Sequence, residues 1–497
     1  MELLNEHWPG ICAVAALVTL LVLVIRFKVH AFLALMVVSL GLGFVAGLPP
    51  MQIADAISKG IGDILRDVLL LLALGALLGR MLETSGAAEL IARRIIDVCG
   101  SSNTSFAILI AAYIIGIPIL FNVGFLVLIP IVWRLQRETK QSLLFFLLPL
   151  ALSLGITHSL VPPHPGIVSA VTTIAGEANS KRVMVETIVF GIALSLPLAL
   201  IGWFGLGRFW AHRQFVTVPE SMAGGASPDP SHQHAVTTPE NVGAGVPKDP
   251  PVARSFALAL TIILLPLVLS LAGFGADLLQ RRDMLPERME YTPLDPADLP
   301  RYLGWLNHSA LDWLRFLSRP TVALFVPTAL ALCVYGLGRG WSHAQIAKLT
   351  NESLVDVGSM VFLFGAAGGF KEVIQATGVG EYLKTHMANL EISPVAIGFI
   401  VAAIVRVALG SATAAIATAS ALVATLAQSM PGHETLLVLS VACGVTVATQ
   451  PADSGFWMLK EYGNLSESDV ILKVNAVRTS MALSGLAILL VVEWWLG

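Results

Sequence analysis

The sequence predicts an all-α polytopic membrane protein whose helices are interrupted at membrane depth. Three observations carry that prediction. The 497 residues are 56% hydrophobic and only 13% charged, with a mean hydropathy of +0.78, whereas a soluble globular chain is about a quarter charged. Apolar stretches approaching the roughly 20 residues that cross a bilayer recur from end to end. Four groups of polar and helix-breaking residues then interrupt this pattern, two in each half, where exposed backbone is costly unless it lines a cavity or a site.

A window reading places about eleven spans, at 11–25, 31–48, 68–82, 106–120, 143–156, 189–206, 256–274, 322–337, 395–409, 436–449 and 481–496. Several are shorter than a full crossing, so neighbouring residues or breaks must complete them. Trp8, Trp133, Trp203, Trp210, Trp494 and Trp495 lie near segment ends, where an amphipathic ring sits at the water boundary. The start carries Glu2 and Glu6 instead of a basic cluster, and no small-residue cleavage site follows. The first segment therefore reads as a retained helix rather than a signal peptide. The net charge of -3 is too small to imply a nucleic-acid partner. Cys12, Cys99, Cys333 and Cys443 are scattered without a CxxC pair, which argues against a disulfide framework or a zinc site.

Two stretches depart from the membrane pattern. Residues 214–254 are rich in Pro, Gly and Ser without periodicity, the composition of a flexible connector. Residues 277–319 are charged and aromatic, with Trp305, Trp313 and Phe316 at near-helical spacing, as in an amphipathic segment lying along the interface. These divide the chain into a first membrane repeat at 1–210, a linker at 211–254, and a second repeat at 255–497 that contains the insertion. An offset of 292 relates the halves. It carries Gly86 to Gly378, Glu89 to Glu381 and Thr157 to Thr449. Repeats of this kind build a transporter's site at their junction; chance similarity of Gly-rich composition is the alternative.

The four breaks are where chemistry is expected. The first, 116–125, reads G-I-P-I-L-F-N-V-G-F. Pro118 removes a backbone donor, Gly124 loosens the chain and Asn122 is its lone polar side chain. The segment is either a re-entrant hairpin or a kinked ordinary helix. The second, 157–166, reads T-H-S-L-V-P-P-H-P-G. Pro162, Pro163, Pro165 and Gly166 cannot all remain helical, which frees Thr157, His158, Ser159 and His164 to meet a ligand; a plain loop is the alternative. The His spacing of six matches no helical metal pair, so no metal is expected. The third, 406–415, reads R-V-A-L-G-S-A-T-A-A. Gly410, Ser411 and Thr413 can start a helix whose amides face an anion. Arg406 can fork a carboxylate, or snorkel to the interface. The fourth, 449–457, reads T-Q-P-A-D-S-G-F-W. Asp453, between a proline and Gly455, is either a proton-binding carboxylate or a helix N-cap. Lys371, beside Glu372, is a further candidate for anion contact or a solvated helix end.

These strings resemble the gluconate permease family (GntP type) of the ion-transporter superfamily. The matching stretches are V-G-F-L-V-L-I-P at 123–130, T-H-S-L-V-P-P-H-P-G at 157–166, R-V-A-L-G-S-A-T at 406–413 and D-S-G-F-W-M-L-K-E-Y at 453–462. The resemblance spans the membrane portion apart from the linker and much of 277–319. It implies a symporter importing gluconate or a related small hydroxy-carboxylate with protons across a bacterial inner membrane. It also implies inverted repeats, a moving transport domain and a homodimer, and no cofactor. Two departures stand out. Asn122 occupies a position that is usually acidic in the family, while Ala452 and Gln450 stand where Asn and His are common.

On this reading, helix amide ends, Ser411, Thr413 and Arg406, with Lys371, hold a carboxylate. Asn122, Thr157 and Ser159 bond hydroxyl groups, and His158, His164 or Asp453 carries the proton. The rivals are a carrier for another organic anion (a hydroxy acid, a dicarboxylate or a D-amino acid) driven by protons or sodium, a membrane-embedded enzyme, and a non-transporting sensor. The enzyme would need a metal motif or a nucleophile–base pair, and no usable spacing provides one. The sensor would need a soluble signalling domain.

Overall fold

The computed structural model describes residues 2–100, 103–219, 255–281, 310–378, 393–450 and 453–496, all helical or irregular, with no strand among them. The first half contains α1 (Glu2–Ile25), α2 (Ala31–Val45), α3 (Pro50–Thr84), α4 (Ala87–Cys99), α5 (Thr104–Gly116), α6 (Phe121–Thr139), α7 (Leu144–Leu160), α8 (Pro165–Gly202) and α9 (Arg208–Arg213). The second contains α10 (Phe256–Arg281), α11 (Ala310–Leu317), α12 (Pro320–Ala331), α13 (His343–Ala376), α14 (Pro394–Leu409), α15 (Ala412–Val423), α16 (Glu434–Gly444) and α17 (Ser454–Glu461). A last helix, α18 (Glu467–Leu496), closes the chain.

Local chemistry starts many of these helices. Pro50, Pro165, Pro320 and Pro394 open theirs at the first turn, where the missing N–H costs nothing and φ is already helical. Ser342 and Gln345 close a reciprocal capping box on α13. Each predicted apolar window overlaps a helix, although 106–120 and 436–449 run past the ends of α5 and α16 into the breaks. Helical stretches long and apolar enough to cross a membrane are His7–Val24, Leu144–Gly176, Ala178–Arg213, Pro320–Arg339, His343–Ala376 and Glu467–Leu496. The window reading missed α13, whose 34 residues carry Lys348, Glu352, Lys371 and Glu372 around a Gly- and Ala-rich centre. Among the shorter apolar helices, α5 has 13 residues, about 20 Å at 1.5 Å per residue. That is well short of the roughly 30 Å hydrocarbon layer.

Two long helices, α3 with 35 residues and α13 with 34, pack along each other. They approach closely at Gly60 and Gly368, where a Cβ on either residue would lie 2.2 Å from the other's carbonyl oxygen. Only glycine permits that approach, and close backbone contact is what holds helices together where lipid is as apolar as the side chains. Helix order also recurs at the 292-residue offset. α3 and α13 each end before a left-handed glycine, Gly86 at φ 69° and Gly378 at φ 77°. α5 and α14 correspond in the same way, each ending in a break. Glu381 lies outside the described residues.

The start of the connector differs from expectation. Gln214–Val218 are docked rather than loose: Leu143 N–H donates to the Val216 carbonyl at 2.8 Å, and Ser142 Oγ donates to the Gln214 carbonyl at 2.7 Å. Val216 and Val218 are buried, which explains the ordering, since two valines find an apolar seat. The rest of the connector, 220–254, and most of the insertion, including Trp305, lie outside the described residues. Trp313 and Phe316, on α11, are both exposed.

Candidate functional site

The four breaks meet in a closed circuit. The first touches the second where His164 Nε2 lies 2.6 Å from the Gly116 carbonyl oxygen. The second touches the third where His158 Nε2 lies 3.2 Å from Thr413 Oγ1. The third touches the fourth through the Arg406–Asp453 ion pair. The fourth returns to the first where Asn122 Nδ2 donates to Ser454 Oγ at 2.9 Å. Residues up to 332 positions apart thus share one locus.

Each break ends one helix and starts another. α6, α8, α15 and α17 all begin here, with Leu120, His164, Ser411 and Asp453 at their N-caps. Ser411 Oγ accepts from Ala414 N–H at 3.4 Å, and Asp453 Oδ1 accepts from Gly455 N–H at 3.0 Å. No side chain caps α6 or α8, so their first amides are left for an anion. The opposing carbonyl ends of α5, α14 and α16 are covered. Arg406 donates to the carbonyls of Gly410 and, at 2.8 Å, Ala448. Asn475 Nδ2 donates to the Thr449 carbonyl at 2.9 Å, and Thr479 Oγ1 to the Val447 carbonyl at 2.7 Å.

The hydrogen bonds dictate the histidine tautomers. His164 Nε2 faces a carbonyl, so it carries the proton and its Nδ1 is an acceptor. His158 Nδ1, 3.2 Å away, must then donate to it, which leaves His158 Nε2 to accept from the Thr413 hydroxyl. Thr413, His158, His164 and the Gly116 carbonyl therefore form one directed chain of neutral groups. A proton entering this chain has one open place, His158 Nε2, provided the Thr413 hydroxyl turns to accept. The edges of the site are reachable: Asn122 and Ser411 are exposed, and Asp453, Ser454 and His158 are half-buried. His164, Thr413 and Arg406 are buried, Arg406 to 1% exposure.

Most of the residues singled out by sequence thus converge: Asn122, His158, His164, Arg406, Gly410, Ser411, Thr413 and Asp453. Several details differ. Residues 157–160 stay helical, and the second break is only 161–164. Thr157 and Ser159 are buried and donate back to helix carbonyls, Ser153 at 2.9 Å and Gly155 at 3.1 Å. The prolines act only after the helix has completed its last turn. Gly124 does not loosen α6; it lies inside that helix, where a Cβ would come within 2.9 Å of Leu154. Pro165 and Gly166 open α8 and Gly455 opens α17. Pro118, Pro162 and Pro163 line an apolar hollow against Ile263, Pro266 and Leu324. Arg406 is buried rather than snorkelling, and Asp453 is both an N-cap and an ion-pair partner. Lys371 lies on α13, outside all four breaks.

Sequence reasoning missed Asn475 and Arg478 on α18, of which Asn475 bonds Thr449 at the start of the fourth break and Arg478 bonds the end of α16 just before it. Arg478 Nε donates to the Thr446 carbonyl at 3.2 Å. The available signal was a lone arginine three residues after an asparagine in an apolar helix, a costly residue at that depth.

The sequence pattern of the GntP family permeases matches residues 8–494, nearly the whole chain. The chain belongs to the GntP family. It is accordingly a transporter rather than an enzyme, and a multi-pass inner-membrane protein. The gluconate permease of Pseudomonas aeruginosa is 31% identical over 482 residues, covering 97% of this chain and 96% of its own. The inner membrane permease YgbN of Escherichia coli is 30% identical, covering 96% of each chain. Among solved structures, the YdaH transporter of Alcanivorax borkumensis, described as having an unusual topology, shares the fold. Its TM-score is 0.57 at 14% identity, over 90% of this chain and 88% of that one.

Proposed function

We propose that this permease imports gluconate or a related small hydroxy-carboxylate, driven by protons. The observation that carries the reading is the convergence of four helix N-termini on one partly open polar locus. Amide ends, together with Ser411 and Thr413, suit a carboxylate, and Asn122 and Ser454 suit hydroxyl groups. The gluconate permeases among its relatives point to the same substrate class. The directed His158–His164 chain supports proton coupling, because one added proton reverses the Thr413 hydroxyl and so links protonation to the third break. Arg406 and Asp453 brace the third break against the fourth.

The short helices α5 and α14, of 13 and 16 residues, support a re-entrant path through the membrane, and the shared helix order supports paired inverted repeats. A homodimer is the expected assembly. A second reading is a different organic anion coupled to sodium, favoured by the amide of Asn122 at a position usually acidic in the family. Uptake of labelled gluconate into proteoliposomes tests both. Accumulation that an uncoupler abolishes supports protons, and accumulation that follows an inward sodium gradient keeps gluconate as substrate and assigns the coupling ion to sodium. Folded protein that accumulates gluconate under neither gradient overturns the substrate assignment.

A further inference from the structure

Deepening that reading, we propose that Arg478, not Arg406, is the counter-ion that binds the substrate's carboxylate. The two guanidinium groups lie in the same site but are committed differently. Arg406 is 1% exposed and spends its nitrogens on the Gly410 carbonyl, the Ala448 carbonyl and Asp453. It is part of the scaffold. Arg478 is half-buried, and only its Nε is engaged, on the Thr446 carbonyl at 3.2 Å. Its Nη1 and Nη2 donate no hydrogen bond among the described residues. Four N–H donors in a planar fork are therefore presented without an acceptor, the arrangement that matches a carboxylate.

Charge points the same way. Asp453 is already occupied by Arg406, by Thr449 Oγ1 at 3.1 Å and by Gly455 N–H. The histidine chain is neutral. Two guanidinium groups thus face one carboxylate, leaving a single positive charge that a monocarboxylate would neutralise. An arginine at membrane depth is tolerated where it faces a partner or a water-filled cavity.

Access completes the case. From Phe146 to Leu160, α7 is buried except at Gly155 and His158, one turn apart on one face. Arg478 Nη1 lies 3.7 Å from where a Cβ on Gly155 would stand. The open notch in α7 is therefore where the free end of the fork lies, with the imidazole of His158 beside it. A substrate carboxylate on Arg478 would sit next to the group that receives the proton.

The test uses full-length protein in lipid nanodiscs. Wild type, Arg478→Gln and Arg478→Lys are compared for gluconate binding by calorimetry. A charge-assisted bidentate contact predicts that Arg478→Gln weakens binding by at least about tenfold. Arg478→Lys, which keeps charge but loses the fork, should fall between. Should Arg478→Gln fail to fold, wild-type protein is treated with phenylglyoxal and mapped by mass spectrometry. Modification of Arg478 that gluconate suppresses supports the assignment, and modification that gluconate leaves unchanged overturns it. Unchanged gluconate affinity in folded Arg478→Gln overturns the role of Arg478 alone. Wild-type protein that binds no carboxylate overturns the substrate reading together with this one.

Discussion

In the first half of the molecule, the carbonyl end of α5 is met by an imidazole, His164, which in turn leans on His158. In the second half, the corresponding end of α14 is met by a guanidinium, Arg406, which is fixed by Asp453. Both solve the same problem, an apolar helix that stops short with unmet carbonyls. They solve it with groups of different character. Imidazoles are neutral and can exchange a proton, so the first half holds its break with bonds that protonation rearranges. The ion pair cannot give up either charge without leaving the other buried and alone, so the second half holds its break rigidly. The comparison assigns the changeable side of the site to the histidines and the fixed side to Arg406 and Asp453.

Removing the fixed side should cost most. Asp453→Ala leaves Arg406 charged, buried and unpaired, and is expected to destabilise the protein by about 3–5 kcal/mol with loss of uptake. Thermal unfolding in detergent and proteoliposome uptake measure the two effects. Stability and transport both unchanged would break the comparison at its strongest point, and normal uptake by Asp453→Asn would rule out a role for its charge.

The changeable side should respond more gently. His164→Leu strands the Gly116 carbonyl and takes the acceptor from His158, at a cost of about 1–3 kcal/mol. Its uptake should lose the response to an imposed proton gradient before it loses gluconate binding. A variant whose accumulation still follows the gradient would remove His164 from the coupling chain. Thr413→Val deletes one hydrogen bond, about 1 kcal/mol, and frees His158 Nε2. Uptake with unaltered pH dependence would detach the third break from the histidines.

Asn122→Asp should leave stability within about 0.5 kcal/mol, because the side chain is exposed. Its effect is on the substrate. Once ionised, the introduced carboxylate repels an anion, so KM should rise towards neutral pH and recover as acid protonates the new group. A KM independent of pH would place the substrate away from the first break.

Much of this was legible along the chain. The prolines at 162, 163 and 165, the Gly410–Ser411 pair and Asp453 mark breaks because lipid makes local backbone failure conspicuous. The start of the second break was misjudged, since Thr157 and Ser159 feed their hydroxyls back into helix carbonyls, an option that their polarity alone does not reveal. α13 escaped the window because its charges dilute hydropathy, although its packing against α3 rests on glycines that no hydropathy scale rewards.

What the sequence determined by itself is therefore the set of helices and the four places where they fail, both dictated by the demand of lipid on each local stretch. Only the tertiary structure decided which break faces which, because the bonds join residues such as His158 and Thr413, 255 positions apart. It also decided that Arg406 is spent and Arg478 is not. Two arginines in apolar helices look alike in sequence, and what separates them is which carbonyls and carboxylates the packing has brought within reach.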